Sequence, residues 1–232
     1  MKDRSTLYLA CAALGTLALA TAPAPQAHDG DARAQAATTQ QQLNTQRSRN
    51  NLVRIVKQVT DKYHSIAMAE NDGYHLLFGC VSDEDSGAMG LHYVNLGLYV
   101  TDPEKGIFDD VIDPYQPEII LYEPTPWGPR LTGADYIVDA ETWNKTHGQA
   151  PELDGQIFHF FDAPNRFGLR PFYTLHVWAW KDSPTGTFVN WNKDVRCDAH
   201  NGLCGDAASA SETPPTNEFL CKALGPRCTG EK

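Results

Sequence analysis

After Gly73 the chain consists of short apolar runs separated by turn-forming residues. The separators are rich in Pro, Gly, Asp and Asn, as at Asp113-Pro114 and Ser183-Pro184-Thr185-Gly186. Runs of this length between such turns predict β-strands rather than helices. The predicted strands span residues 74–78, 90–99, 118–122, 134–138, 156–161 and 173–180.

A single helical pattern precedes these strands. Leu52, Val56 and Val59 belong to an apolar series with helical spacing, which predicts a helix over 48–69 that stops near Asn71-Asp72-Gly73. One helix followed by strands without intervening helices is typical of an α+β domain. We therefore expect an N-terminal helix packed on a mainly antiparallel sheet or a partly closed β-barrel.

The first residues have the features of a secretory signal. Lys2 and Arg4 precede an apolar run over 7–20 and then small residues, and no later apolar run approaches the ~18 residues that a spanning helix needs. We expect a secreted or periplasmic protein without a membrane anchor. The predicted organisation is a signal peptide over 1–27, a flexible lead-in over 28–47, one α+β domain over 48–200 and a cysteine-containing appendage over 201–232.

Charge and missing motifs exclude several functions. The formal net charge is −10 and no Lys/Arg cluster stands out, so the chain has no general attraction for nucleic acid. The phosphate-binding, dinucleotide-binding, zinc-protease and serine-hydrolase signatures are all absent. These absences argue against nucleotide binding and the familiar hydrolases, and they leave the reaction, if there is one, unassigned.

Five cysteines remain after the predicted signal, which contains Cys11. Export favours disulfides, and an odd count leaves at least one thiol unpaired or paired between chains. The intervals Cys197 to Cys204 and Cys221 to Cys228 permit local loops. We favour a bridge from Cys80 to Cys197 with one further bridge among the last three cysteines, although spacing alone does not determine the connectivity.

Histidines and an acid lie on the predicted strands, and they are the candidate metal ligands. His92, His159 and His176 interrupt apolar strands, and Glu123 follows another strand directly. A buried polar side chain must be satisfied, and imidazoles meeting a carboxylate can bind Zn²⁺, Cu²⁺, Fe²⁺ or Mn²⁺. The alternative is that each histidine is a core residue bonded to a backbone carbonyl.

A small-molecule or glycan pocket is the second functional hypothesis. Its candidate lining residues are Tyr93, Glu118, Arg166, Trp178 and Trp180. The period of a strand would place His176, Trp178 and Trp180 on one side. Arg166 could hold a carboxylate ligand, or it could bond to loop carbonyls. A third hypothesis is a structural envelope protein without a pocket.

Several stretches of the chain resemble a family of exported bacterial proteins of unassigned function. They are 89–95 (MGLHYVN), 117–124 (PEIILYEP), 131–138 (LTGADYIV), 164–168 (PNRFG) and 172–180 (FYTLHVWAW), within a match over about 53–197. The resemblance implies that His92, Glu123, His159 and His176 belong to the family pattern and that Cys80 and Cys197 are its usual cysteine pair. The middle stretch is also similar, more weakly, to plant oil-body-associated proteins.

Overall fold

The computed structural model describes residues 29–102 and 107–199. The predicted signal peptide and the appendage with Cys204, Cys221 and Cys228 lie outside these residues. Within the described ranges, no helix combines the length and the apolar character that crossing a membrane requires.

Four helices and ten strands make up the described structure. The helices are α1 (Asp29–Thr60), α2 (Ile66–Asn71), α3 (Leu96–Tyr99) and α4 (Ala140–Thr146), and a 3-10 turn (Asp61–His64) joins α1 to α2. The strands are β1 (His75–Asp83), β2 (Gly87–Val94), β3 (Val100–Asp102), β4 (Ile107–Phe108), β5 (Ile119–Glu123), β6 (Arg130–Asp139), β7 (Glu152–Leu153), β8 (Gln156–Ile157), β9 (His159–Phe161) and β10 (Phe172–Val177).

Helix α1 differs from its prediction at both ends. It begins at Asp29 rather than near Ser48 and ends at Thr60, where the 3-10 turn and an extended Ser65 separate it from α2. The early residues lack large apolar side chains, but Ala and Gln favour helix without needing a core to pack on. The described residues 29–41 belong to a first unit of the chain, and the packing described below is that of the second unit, which begins at Gln42.

The main sheet has six antiparallel strands in the order β1-β2-β5-β6-β10-β9 and curls into a half-barrel. Each of the six predicted strand regions contributes to it, so the predicted α+β class is confirmed. Strands β5 and β6 form a hairpin in which Glu123 lies opposite Arg130. The connecting turn is closed by hydrogen bonds between Thr125 and Gly128, and its Trp127 is 93% exposed.

The sheet has two faces with different side chains. The tyrosine face carries Tyr93, Tyr122 and Tyr136. It contacts the 3-10 turn that follows α1, where the Tyr122 hydroxyl donates to the carbonyl of Tyr63 at 2.7 Å. The histidine face carries His92, Asp135 and His176, together with Leu121 and Gly133. The period of two along each strand produces this separation.

The curl of the sheet brings distant strands together on the histidine face. Strands β2 and β10 are three strand spacings apart, about 14 Å in a flat sheet, yet the rings of His92 and His176 have centroids only 5.9 Å apart. Gly133 lies in the floor between them, and a Cβ there would collide with the backbone of Val177. The absence of a side chain at Gly133 therefore permits the backbone of β10 at Val177 to lie close to β6.

A disulfide between Cys80 and Cys197 joins β1 to the last described segment, as we favoured. Both cysteines are buried in the core. The preceding segment is tied to the sheet by paired backbone hydrogen bonds between Ala88 and Asn192. The chain that follows β10 is thereby fixed along the first two strands.

Candidate metal centre

Three strands place two imidazoles and one carboxylate around a common point on the histidine face. His92 comes from β2, Asp135 from β6 and His176 from β10, where it lies directly opposite Asp135. One ligand atom from each residue lies within 4.8 Å of the others. All three residues are at most 3% exposed, so the cluster belongs to the interior.

The backbone fixes the orientation of His92. Its Nδ1 lies 3.1 Å from the carbonyl oxygen of Gly90. A carbonyl can only accept, so Nδ1 carries the proton and the lone pair of the neutral ring is on Nε2. Gly90 has φ +88°, a conformation that favours glycine, and a side chain there would also collide with the carbonyl of Tyr122. This arrangement is the outer-shell hydrogen bond that metal-binding histidines usually make.

His176 is the least satisfied residue of the cluster. Its Nδ1 lies 3.3 Å from Oδ1 of Asp135, but neither ring nitrogen makes a hydrogen bond to any group in the described part of the chain. An unpaired polar group in the interior costs about 1–3 kcal/mol. Both ring nitrogens of His176 are therefore available to bind a ligand.

Asp135 is held more firmly. The hydroxyl of Thr174 donates to its Oδ1 at 2.5 Å, and the backbone amides of Leu175 and Tyr136 also favour its charged form. Thr174 precedes His176 by two residues on the same face of β10. One strand thus supplies a histidine and also the residue that orients the carboxylate.

The surroundings suppress charge on all three residues. Burial lowers the pKa of His92 to about 4, and burial with the neighbouring His92 and His159 lowers the pKa of His176 well below its usual range. Burial raises the pKa of Asp135 to about 7, because its hydrogen bonds offset only part of the desolvation. The histidines are thus neutral at pH 7, the form in which imidazole binds a metal.

Aromatic side chains surround the cluster. The ring of Phe78 lies 6.1 Å from that of His92, and the ring of Trp178 lies 6.1 Å from that of His176. Phe167, from the connection between β9 and β10, packs on Phe78. These apolar neighbours are the physical cause of the desolvation.

Of the four ligands predicted from the sequence, the structure brings His92 and His176 together. Glu123 is already engaged outside the cluster: Lys181 donates to both its carboxylate oxygens at 2.8 Å, and Arg130 donates to it at 2.5 Å. Burial opposes its ionisation, but these hydrogen bonds outweigh burial and lower the pKa of Glu123. It is a paired carboxylate and is not one of the clustered residues.

His159 occupies a different position from the clustered pair. It lies on β9 at the edge of the sheet, where it is exposed, and its Nε2 is 3.3 Å from the carbonyl oxygen of Phe188. It is on the histidine face because it is opposite Thr174. His159 therefore lies on the exposed edge strand, on the same face as the buried cluster.

The aromatic residues of the predicted ligand pocket are divided between the two faces. Tyr93 packs on Tyr122 in the tyrosine face, whereas Trp178 lies beside His176 and donates its indole N–H to the carbonyl of Val189 at 2.6 Å. The prediction that Trp180 shares a side with Trp178 is wrong, since Trp180 donates to the hydroxyl of Thr60. Strand β10 ends at Val177, and a turn there interrupts the strand period.

The two charged residues of that predicted pocket are also engaged. Glu118 is buried, accepts a hydrogen bond from the amide of Ile137 at 3.1 Å and has a pKa raised well above its usual range by burial. Arg166 donates to the carbonyl of Ser82 at 2.9 Å, and its guanidinium carbon lies 5.4 Å from the centre of the Trp191 ring. Arg166 thus bonds to a backbone carbonyl, one of its two predicted roles.

Asp135 was not among the ligands predicted from the sequence. A signal was present, since Asp135 is a single acid in the apolar strand 134–138 and belongs to the LTGADYIV stretch. It is an even number of residues from Gly133 and Ile137 and therefore shares their face. An acid inside a strand, rather than one at a strand end, was the better candidate for a buried ligand.

Comparisons of the chain with protein-family models, with curated proteins and with solved structures find no match. The function is therefore inferred from the geometry of the site.

Proposed function

We propose that this chain is an exported protein that binds a divalent transition metal through His92, Asp135 and His176. The observation that carries the proposal is the buried imidazole of His176, whose two nitrogens are unpaired next to a second imidazole and a carboxylate. A cation shared by these residues would bind one nitrogen of each imidazole and an oxygen of the carboxylate, so that each of the three side chains gains a partner.

The donor set indicates the class of metal. Two imidazole nitrogens and one carboxylate oxygen suit Zn²⁺, Fe²⁺, Mn²⁺ or Cu²⁺ better than Ca²⁺ or Mg²⁺, which prefer oxygen ligands. Three protein ligands also leave a position for water or substrate, as in catalytic zinc and non-haem iron sites. At such a position a bound ion can activate water or polarise an oxygen ligand.

Two features support export. The Cys80–Cys197 disulfide is typical of proteins that fold in an oxidising compartment. The basic and apolar start of the sequence has the pattern of a signal peptide. The resemblance to exported bacterial proteins agrees with both.

Metal analysis and titration with Zn²⁺ test the proposal. The full chain should bind one Zn²⁺, and the His92→Ala/His176→Ala double variant should lose binding. Asp135→Asn, which keeps the shape but removes the charge, should weaken it by at least about tenfold, since even outer-shell changes cost 10–100-fold.

Two control variants separate this site from general binding to exposed groups. His75→Ala removes an exposed histidine at the start of β1, and Glu123→Gln removes the carboxylate held by Lys181 and Arg130. Both should bind Zn²⁺ like the wild type. Zn²⁺ binding by the double variant at wild-type affinity would refute the proposal.

A further inference from the structure

An exposed histidine lies next to the buried cluster. His159 on β9 is directly opposite Thr174 on β10, and the hydroxyl of Thr174 donates to Asp135. His176 is two residues further along β10 on the same face, which makes it a diagonal neighbour of His159. Diagonal neighbours in an antiparallel pair are about 7–8 Å apart, a separation that long side chains can cross.

The present contact of His159 is weak. Its Nε2 lies 3.3 Å from the carbonyl oxygen of Phe188, near the long limit for a hydrogen bond. The segment 187–189, which contains Phe188, makes two shorter hydrogen bonds to Trp178. The indole donates to Val189 at 2.6 Å, and the amide of Trp178 donates to Thr187 at 2.9 Å. His159 can therefore leave Phe188 while this segment stays in place.

We infer that His159 is an additional, exchangeable ligand of the ion, which it reaches by turning from the Phe188 carbonyl toward the position between His92, Asp135 and His176. This inference rests on the proposed function. His159 contributes to the lowering of the pKa of His176, as expected for diagonal neighbours on one face of the sheet. The three buried residues form the permanent part of the site, and His159 is the part that solvent and ligands can reach.

The resulting donor set has three imidazoles and one carboxylate. It provides four ligands to the ion when His159 is bound and three when His159 returns to Phe188. The exposed edge of β9 is thus the side from which a small ligand would replace the imidazole. Removing His159 should alter the coordination of the ion without abolishing its binding.

Titration of the full chain with Co²⁺ tests this inference, because the visible absorption of Co²⁺ responds to the number and type of its ligands. His159→Ala should weaken Co²⁺ binding by about 10- to 100-fold and should change the shape and intensity of the bands. Free imidazole added to His159→Gly should restore the wild-type spectrum. His75→Ala, the matched exposed histidine, should leave affinity and spectrum unchanged.

The outcomes distinguish the two proposals. If His159→Ala keeps the wild-type affinity and spectrum while His92→Ala/His176→Ala loses binding, the inference is wrong and the proposed function stands. If the wild-type chain binds no Co²⁺, both are overturned. Because His159 is exposed, unfolding of His159→Ala in chelator should match that of the wild type, which shows that a loss of affinity is not a loss of fold.

Discussion

The two faces of the central sheet differ in whether their most deeply buried polar side chains have hydrogen-bond partners. On the tyrosine face and beside it, buried hydroxyls have backbone partners: Tyr122 donates to Tyr63, Tyr136 to Pro114 and Tyr74 to Pro117, each within 2.8 Å. On the histidine face, His176 is equally buried and has no hydrogen bond within the described chain.

This difference distinguishes polar groups that stabilise the fold from polar groups that could bind a ligand. Strand β2 carries both Tyr93 and His92, and β6 carries both Tyr136 and Asp135. The hydroxyls of Tyr122 and Tyr136 nevertheless have backbone partners, whereas His176 on the other face has none among the described residues. Polar groups that are satisfied by the protein itself stabilise the fold. Those that are left unsatisfied at a similar depth indicate a missing partner, and here the group of residues fits a cation.

The largest expected effect tests whether the two faces unfold as one unit. The Cys80–Cys197 bridge closes a loop of 117 residues, and replacing both cysteines by alanine should cost about 5 kcal/mol through the entropy of the unfolded chain. Tryptophan fluorescence and near-UV tyrosine circular dichroism should follow the same denaturant transition, shifted equally. Two separate transitions would show that the faces are independent.

Acidification should act on the histidine face. The pKa of His92 is about 4 in the folded state and about 6.5 in the unfolded chain. Below pH 6.5 the unfolded chain therefore takes up a proton that the folded protein does not, and the free energy of unfolding falls until the pH reaches about 4. The wild type in chelator should therefore lose about 3 kcal/mol more than His92→Asn over this range. Asp135 has a raised pKa and the opposite sign, but it is present in both proteins.

The asparagine variant keeps a donor for the Gly90 carbonyl, so the difference between the two proteins reports the titration itself. His75→Asn, at an exposed histidine, serves as the control and should follow the wild-type curve. Equal acid sensitivity of the wild type and His92→Asn, measured by denaturant unfolding at each pH, would show that His92 is charged or solvated in the folded protein.

The smallest effects should have opposite signs on the two faces. Tyr122→Phe leaves the carbonyl of Tyr63 without its donor and should destabilise the protein by about 1 kcal/mol. His176→Phe replaces an unpaired imidazole by an apolar ring and should stabilise the metal-free protein by about 1 kcal/mol. Thermal unfolding in chelator measures both, and destabilisation by both variants would remove the proposed difference between the faces.

The sequence predicted the positions of the strands better than it predicted which side chains meet in the folded protein. The strand positions followed from apolar runs and turns, and His92 and His176 were recognisable as polar residues inside such runs. Their meeting depends on the curl of the sheet, which the strand pattern does not reveal. Asp135 had a local signal, as a single acid inside an apolar strand, but its two partners are 43 and 41 residues away in sequence, so the strand pattern did not link it to them.

Glu123 was predicted as a ligand but is paired with other side chains in the structure. Its position at the end of a strand resembled that of a ligand, but the β5–β6 hairpin places Arg130 directly across from it. The Thr125-Pro126 turn signal already contained that information, because a tight hairpin at this turn pairs the two residues. Lys181, 58 residues further along, is a tertiary contact that no local pattern indicates.

The disulfide has a consequence for the durability of the protein. All of the six-stranded sheet except the first residues of β1 lies between Cys80 and Cys197, and so does the exposed turn at Trp127. A protease that cuts this turn would leave two pieces that are still covalently joined, and they would separate on a gel only after reduction. The bridge thus allows a nicked molecule to persist as one particle in an environment rich in proteases.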